Sequence, residues 1–214
     1  RSPSRGLGDV YKRQPLIAFD YARTKLGVRP ILIAKCSKTG NVLMRKVSKK
    51  GFCEDAVHFM TEFILSLGHT RIRIKNDPEQ SALDLRNELI KALKRENMKI
   101  DLEAVEEGSK VDHDLIQIIP ERSAVGSKQS NGMAERAVQM CMNMAKALIL
   151  DLEEKIGKIP YESPLMDWLL VHAAETLNRM RVMANGKTPY QMIKGRRFDR
   201  PIVKLGELVW YKRA

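Results

Sequence analysis

The pattern of apolar and polar positions along the 214-residue chain predicts an α/β fold. Short apolar or alternating segments of strand length are separated by turn residues and by amphipathic segments. The predicted strands are residues 16–21, 31–36, 42–47, 71–75 and 115–119, and a sixth short strand is predicted at residues 208–212. In the fourth strand, the period-two alternation turns the isoleucines inward and the bases outward.

Apolar residues recur at helical spacing between and after these strands. The predicted helices are residues 53–67, 81–98, 132–156 and 164–181, with a short helical turn at 188–194. Gly68 is a stop signal for the first helix, and Pro164 is tolerated in the first turn of the fourth. This order of strands and helices predicts a mixed sheet that helices cover on both faces.

Three segments differ from this pattern. Residues 1–14 are rich in Gly, Ser and Arg and show neither helical nor strand periodicity. We therefore interpret them as a non-native or adaptor-derived tail on a fragment of a longer polypeptide. Residues 99–114 are acidic and poorly periodic, and we interpret them as a surface insert. Residues 184–214 are interpreted as a basic C-terminal extension or linker that carries the sixth strand.

The charge of the chain favours a polyanionic partner. Its 38 Lys and Arg residues exceed its 26 Asp and Glu residues, which gives a formal net charge of +12. Ten of these bases lie in residues 179–214, with only two acids. Clustered basic residues are typical of nucleic-acid binding, although ordinary solubilising charge is the alternative. No apolar run reaches the roughly 20 residues of a membrane span, so we expect an intracellular protein without membrane contact.

Three acidic residues lie at positions where a carboxylate is expected to have a structural or functional role. Asp20 lies inside an apolar strand, Asp77 follows the fourth strand, and Glu135 is in the first turn of the long third helix. A carboxylate on a core strand is costly unless it is paired or binds a cation. Three converging carboxylates would repel one another, and divalent ions would relieve that repulsion. Mg²⁺ prefers oxygen ligands, and two ions about 3.5 to 4 Å apart suit phosphodiester chemistry.

Each of these acids also has an ordinary structural explanation. Asp20 could bond backbone amides at the end of its strand. Asp77 precedes Pro78, and Asp-Pro is common in turns. Glu135 could be a first-turn glutamate that the helix dipole favours. The residues taken singly leave both readings open, whereas their joint occurrence favours a shared site.

The acids and the motifs around them resemble the catalytic core of retroviral and retrotransposon integrases. The resemblance covers about residues 15 to 214. Its motifs are FDYA around Asp20, IKNDPEQ around Asp77, QSNGMAER at 129–136, KTG at 38–40, Trp168, Asn178, GKTPY at 186–190, GRR at 195–197 and GELVWY at 206–211. One departure is the Pro78-Glu79 pair after Asp77, where family members usually have a glycine-bearing turn.

The resemblance implies a ribonuclease-H-like fold, with a five-stranded mixed sheet and a catalytic core at residues 15–183. It implies that Asp20, Asp77 and Glu135 are the catalytic residues and hold two Mg²⁺ or Mn²⁺ ions. The implied function is integration for a retrotransposon-like element, by metal-dependent cleavage of DNA ends and strand transfer into target DNA. A homo-oligomer is implied, in the nucleus if the host is eukaryotic. The alternatives are a cut-and-paste transposase of the same fold and a catalytically degenerate nucleic-acid-binding relic.

Other polar residues are candidates for DNA contacts. On the third helix, residues four, seven and eleven positions after Glu135 share its face, so Gln139 and Lys146 can reach phosphates beside it. The loop before this helix and the basic C-terminal segment supply further candidates, which are Lys128, Gln129, Asn131, Arg196 and Arg197. The bases of the fourth strand, Arg71, Arg73 and Lys75, form either a phosphate track or a solvated edge.

Overall fold

The computed structural model describes residues 14–22, 29–106, 116–121, 132–200 and 203–207. Within them, five strands form a mixed sheet in the order β3-β2-β1-β4-β5. The strands are β1 (Leu16–Ala22), β2 (Ile31–Cys36), β3 (Val42–Lys46), β4 (Arg71–Lys75) and β5 (Gln117–Glu121). β1 and β3 pair antiparallel with β2, whereas β4 pairs parallel with β1 and with β5. The predicted mixed five-stranded α/β sheet is confirmed.

Helices lie on both faces of this sheet. They are α1 (Glu54–Ser66), α2 (Gln80–Glu106), α3 (Gly132–Ile156), α4 (Pro164–Met180) and α5 (Pro189–Lys194). α1 and α2 pack on the face that carries Phe19, Leu32 and Ile74. α3 and α4 pack on the opposite face, against Ile33 and Met44. In the described part of the chain, none of these helices is long and apolar enough to span a membrane.

The buried side of α3 is made of small side chains. Ala134, Ala137, Cys141 and Ala145 are all buried, at helical spacing. Small residues let the helix axis approach the sheet closely, and α3 contacts β1 and β2. This packing fixes the first turn of α3 relative to β1, which matters for the candidate site below.

Asn178 anchors the last turn of α4 to the edge strand β3. Its side-chain amide accepts a hydrogen bond from the Val42 N–H at 2.8 Å and donates one to the Val42 carbonyl at 2.9 Å. At the other end of α4, the buried Lys46 ammonium donates to the Tyr161 carbonyl at 3.1 Å and pairs with Asp167 at 2.9 Å. Both ends of α4 are therefore held to β3 by polar contacts.

Two of the sequence predictions are wrong at their boundaries. β5 begins two residues later than predicted and contains Pro120, because a proline is tolerated in an edge strand when its missing N–H faces away from the sheet. α2 continues to Glu106, through part of the predicted surface insert. Residues 80–106 contain no Gly or Pro and are rich in good helix formers, so their acidity did not end the helix. The predicted strand at 208–212 lies outside the described residues.

Candidate active site

Asp20 lies on β1, on the sheet face that α3 covers. Its neighbours Phe19 and Tyr21 point into the core on the other face, because successive side chains of a strand alternate. The Asp20 carboxylate is half-buried, and its Oδ1 accepts a hydrogen bond from the Tyr21 N–H at 2.7 Å. The strand thus holds a carboxylate at the margin of the apolar core.

Asp77 stands two residues beyond the end of β4 and is exposed. The preceding Asn76 is only 2% exposed, and its Nδ2 donates to the Asp77 carbonyl at 2.7 Å. A buried side chain therefore fixes the main chain where the strand ends. Pro78 follows with its side chain exposed.

Glu135 is in the first turn of α3 and is exposed. The residues Ala134 and Ala137 on either side of it are 1% exposed and pack against the sheet side of the helix. Each residue turns an α-helix by about 100°, so Glu135 lies beside this buried stripe and outside it. Its charge nevertheless reaches the Asp20 carboxylate on β1.

The charges of Asp77 and Glu135 act through space on the Asp20 carboxylate. Burial raises the pKa of Asp20 above its ordinary value, and the charges of Asp77 and Glu135 raise it further. The Tyr21 N–H and the Lys50 ammonium act in the opposite direction. The structure therefore places Asp20, within β1, in electrostatic reach of Asp77 after β4 and of Glu135 in the first turn of α3.

These residues fit a divalent cation by their chemistry. They offer only carboxylate oxygens, which are the ligands that Mg²⁺ prefers, and a cation would offset the repulsion that raises the pKa of Asp20. Among the side chains that the structure describes, no three from His, Cys, Asp and Glu are grouped closely enough to hold a metal ion. The three acids therefore lie in one region of the structure, but they are not close enough together to form a complete set of metal ligands.

Lys50 belongs to the same region, although the sequence did not single it out. Its ammonium pairs with Glu79 and lies 5.8 Å from the centroid of the Tyr21 ring. The Tyr21 hydroxyl exchanges hydrogen bonds of 3.2 Å with the carbonyl and the N–H of Gly51, and this holds the Lys50 segment on β1. Gly51 has a φ of +94°, a conformation that favours glycine. Only the tertiary structure connects Lys50 with Asp20.

The predicted DNA-contacting residues of α3 are accessible. Gln139 and Lys146 are exposed on the face that also carries Glu135, and Met142 between them is half-buried. Lys146 also borders an apolar groove between α3 and α4 whose lining includes Tyr161. The loop candidates Lys128, Gln129 and Asn131 lie outside the described residues.

The two C-terminal candidates lie near the C-terminal end of α4. Arg196 and Arg197 are exposed just after α5, a helix that packs on α4. Arg197 borders a cleft with Phe198, and the Phe198 ring lies 4.8 Å from the Arg179 guanidinium. These arginines thus lie beside the C-terminal half of the α4–α5 pair rather than on the elements that carry the acids.

Two of the three bases of β4 follow neither of the two interpretations offered by the sequence. Arg73 and Lys75 are largely buried, and both reach Glu121 on the neighbouring β5, at 2.9 and 3.5 Å. Arg71 is exposed. Arg73 and Lys75 are therefore engaged in a cross-strand ion pair, which makes them poor candidates for a phosphate track.

The fold is similar to that of three solved integrase structures. The catalytic core domain of BIV integrase is 18% identical, with a TM-score of 0.52, over 84% of this chain and 93% of that chain. The HTLV-2 integrase catalytic core domain in complex with magnesium, in a dimeric form, is 19% identical, with a TM-score of 0.53, over 84% and 97%. The simian T-cell lymphotropic virus intasome in complex with PP2A regulatory subunit B56 gamma is 17% identical, with a TM-score of 0.57, over 92% and 60%.

No protein-family model and no curated protein sequence matches the chain. At identities of 17–19%, the structural likeness shows the fold. The chain has the ribonuclease-H-like fold of retroviral integrase catalytic cores, as its sequence motifs predicted.

Proposed function

We propose that the chain contains the catalytic domain of an integrase from a retrotransposon-like element, which cleaves DNA ends and joins them to target DNA. The observation that carries the proposal is that Asp20 lies within electrostatic reach of both Asp77 and Glu135. The integrase-core fold supports it, because the acids occupy the ends of adjacent strands and the start of a helix in that fold. Residues 15–183 are proposed as the core, with 184–214 as its basic extension.

In this proposal, Asp20, Asp77 and Glu135 hold two Mg²⁺ or Mn²⁺ ions. Such ions, when bound, activate an attacking oxygen and stabilise a leaving oxygen in an in-line displacement. A neighbouring core is described in complex with magnesium, which supports this choice of ion. The Lys50 ammonium partly balances the acids, and it is held in place by Glu79.

The remaining side chains are proposed to bind and orient DNA. Gln139 and Lys146 project from the exposed face of α3 beside Glu135, and the loop residues Lys128, Gln129 and Asn131 precede them in the chain. Arg196 and Arg197 extend the basic surface past α5. No protein nucleophile is required. Water attacks a phosphodiester beside the DNA end and frees a 3′-hydroxyl, and this hydroxyl then attacks a target phosphodiester and displaces its 3′-oxygen. A homo-oligomer is proposed as well, because one similar core is described in a dimeric form.

A second candidate is a nucleic-acid-binding relic without catalysis. It is favoured by the finding that no three candidate ligands among the described residues are grouped tightly enough for a metal.

A cut-and-paste transposase would use the same acids on the same fold. It differs from the first proposal in the products it makes, since it excises DNA before joining it.

Nicking of supercoiled plasmid DNA by the whole chain in Mg²⁺ or Mn²⁺ separates the two main candidates. We expect wild type to nick, and Asp20→Asn, Asp77→Asn and Glu135→Gln to fall to background while still binding DNA. Asp84→Asn is the matched control, because Asp84 is exposed on α2 and, in the part of the chain that the structure describes, its side chain bonds only that of Gln80. Full nicking by Asp77→Asn would overturn the triad. Binding by wild type without nicking in either metal would favour the relic.

A further inference from the structure

Three basic residues from three elements lie within electrostatic reach of one another around Lys35, on the sheet face that carries Asp20. They are Lys35 on β2, Arg136 on α3 and Arg181 at the C-terminal end of α4, and we call them the cationic cluster. None of the three belongs to the proposed triad or to the DNA contacts considered above.

The packing of the fold places these residues together. Lys35 is the register partner of Ala18 on β1 and of Val42 on β3. Asn178 bonds both main-chain groups of Val42, so the last turn of α4 is fixed beside that position. Arg181 follows Asn178 by three residues, which is almost one helical turn. The end of α4 is therefore held next to Lys35 by a buried hydrogen-bonded pair.

The cluster is electrostatically unfavourable as it stands. Burial lowers the pKa of Lys35, and the charges of Arg181 and Arg136 lower it further, while the Cys141 sulfur acts in the opposite direction. Within the described ranges, the ion pairs of the protein join other bases to acids, and none involves a member of the cluster. Like charges that lie close together without a counter-ion repel one another. An anion bound here would reduce the repulsion among the three positive charges.

The first turn of α3 connects the cluster with the candidate active site. Glu135 acts on Asp20, whereas the next residue, Arg136, acts on Lys35. Lys35 lies across from Ala18, two residues before Asp20 on the same face of the sheet. The acids and the cationic cluster are therefore adjacent sites, on either side of the N-terminal turn of one helix.

We propose that the cationic cluster binds a backbone phosphate of the DNA strand, next to the phosphodiester that the acids hold. This inference rests on the proposed function, because it takes DNA to be the substrate. Arginine guanidinium groups bind phosphate oxygens in a bidentate manner, and the half-buried Lys35 adds a point charge between them. The contact carries no sequence information, so it fixes the position of the strand relative to Asp20 and Glu135.

The test is the salt dependence of DNA binding by the double variant Lys35→Gln/Arg181→Gln. Binding of a fluorescent duplex oligonucleotide is followed by anisotropy in EDTA over a range of NaCl concentrations, so that neither metal nor catalysis is involved. The control is Lys94→Gln/Arg95→Gln, which removes two exposed bases from α2, on the other side of the sheet. We expect the first variant to bind several-fold more weakly, with a slope of log K against log salt shallower by roughly 1 to 2, while the control keeps the wild-type slope.

The outcomes separate this inference from the proposed function. Equal slopes for the two double variants overturn the phosphate site, and plasmid nicking by wild type then leaves the integrase proposal standing. A wild-type chain that does not bind DNA overturns both. If the double variant does not fold, Arg136→Gln replaces it, because Arg136 is exposed and its guanidinium bonds only the Gly132 carbonyl among the described residues. A wild-type slope for Arg136→Gln would likewise refute the site.

Discussion

The β1–β4 register relates Asp20, on β1, to Asp77, which lies two residues after the neighbouring parallel strand β4. Ala18 and Lys75 are register partners in the β1–β4 ladder, and each aspartate lies two residues beyond one of these partners. Adjacent strands are about 4.8 Å apart, so this arrangement puts the two carboxylates on the same side at the same end of the sheet. The register explains why the charge of Asp77 raises the pKa of Asp20.

The first prediction concerns the stability cost of Asp20. The folded-state pKa of Asp20 is raised above the ordinary value of 3.8, mainly by burial. The carboxylate therefore destabilises the fold once it ionises, and this penalty disappears below pH 3.8. Asp20→Asn keeps an oxygen for the Tyr21 N–H and should raise Tm by roughly 2 °C at pH 7. Thermal unfolding at pH 7 and at pH 4 measures the gain, which should shrink at the lower pH.

Asp151→Asn is the matched control for this variant. Asp151 is exposed, and among the residues that the structure describes its side chain forms only a surface pair with Lys155, so its loss should change stability little in either direction. A lower Tm for Asp20→Asn than for Asp151→Asn at pH 7 would contradict the assignment of Asp20 as a strained carboxylate.

The second prediction concerns added metal. A cation that binds the acids of the native state should raise Tm with concentration, because a ligand that prefers the folded state stabilises it. We expect Mg²⁺ or Mn²⁺ to raise the wild-type Tm by a few degrees, and Asp77→Asn to lose this response. NaCl at the same ionic strength corrects for screening of the basic surface. An equal metal response in Asp77→Asn would place the bound ion elsewhere.

The third prediction concerns the anchor between α4 and β3. Asn178→Ala leaves the N–H and the carbonyl of the buried Val42 without their partner. Two buried main-chain groups left unsatisfied should lower the free energy of unfolding by about 2 to 4 kcal/mol. Urea denaturation measures the loss, with Asn143→Ala as the control, because Asn143 is exposed on α3. A loss no larger than that of the control would mean that Asn178 is not a structural anchor.

The fourth prediction concerns His69. Burial lowers the pKa of His69 below 6.5, and Lys38 lowers it further. Its Nε2 lies 3.5 Å from the Cys36 sulfur. As the pH falls, the imidazole of His69 is therefore protonated in the unfolded chain before it is protonated in the folded chain. The free energy of unfolding decreases as the pH falls through 6.5. Denaturation midpoints at pH 7 and pH 5.5 should differ less for His69→Gln than for wild type.

His58→Gln provides the comparison for the pH experiment. His58 is exposed on α1 beside Glu62, so its replacement leaves the environment of His69 unchanged. If His69→Gln and His58→Gln show the same pH dependence, His69 does not contribute to acid sensitivity.

The sequence could predict the strands, the helices and the candidate acids because each is recognised from residues close together in the chain. Asp20 lies within a strand and Asp77 shortly after a strand whose apolar patterns are visible in the sequence, and Glu135 lies in the first turn of a long amphipathic helix. The boundary of β5 was missed because Pro120 is read as a strand breaker, although it is compatible with an edge strand. The length of α2 was missed because acidic residues were taken as a sign of an irregular insert.

The charged neighbours of the acids could not be predicted in this way. Lys50 reaches the site only because Tyr21 fixes the Gly51 backbone. Lys35 and Arg181 are far apart in the sequence and meet through the packing of α4 on β3. No periodicity or spacing encodes such a meeting, since it depends on sheet order and on the crossing of helix and sheet.

The anchoring of Val42 and the position of Pro120 together oppose aggregation through the sheet. At the outer edge of β3, the main-chain groups of Val42 are already bonded to Asn178. In β5, the Gln117 N–H bonds the Thr70 carbonyl, so by alternation the nitrogen of Pro120 faces outward and has no hydrogen to donate. A strand from a second molecule would find neither position able to pair with it. Amyloid-like stacking of copies is therefore disfavoured at these two positions, one on each edge of the sheet.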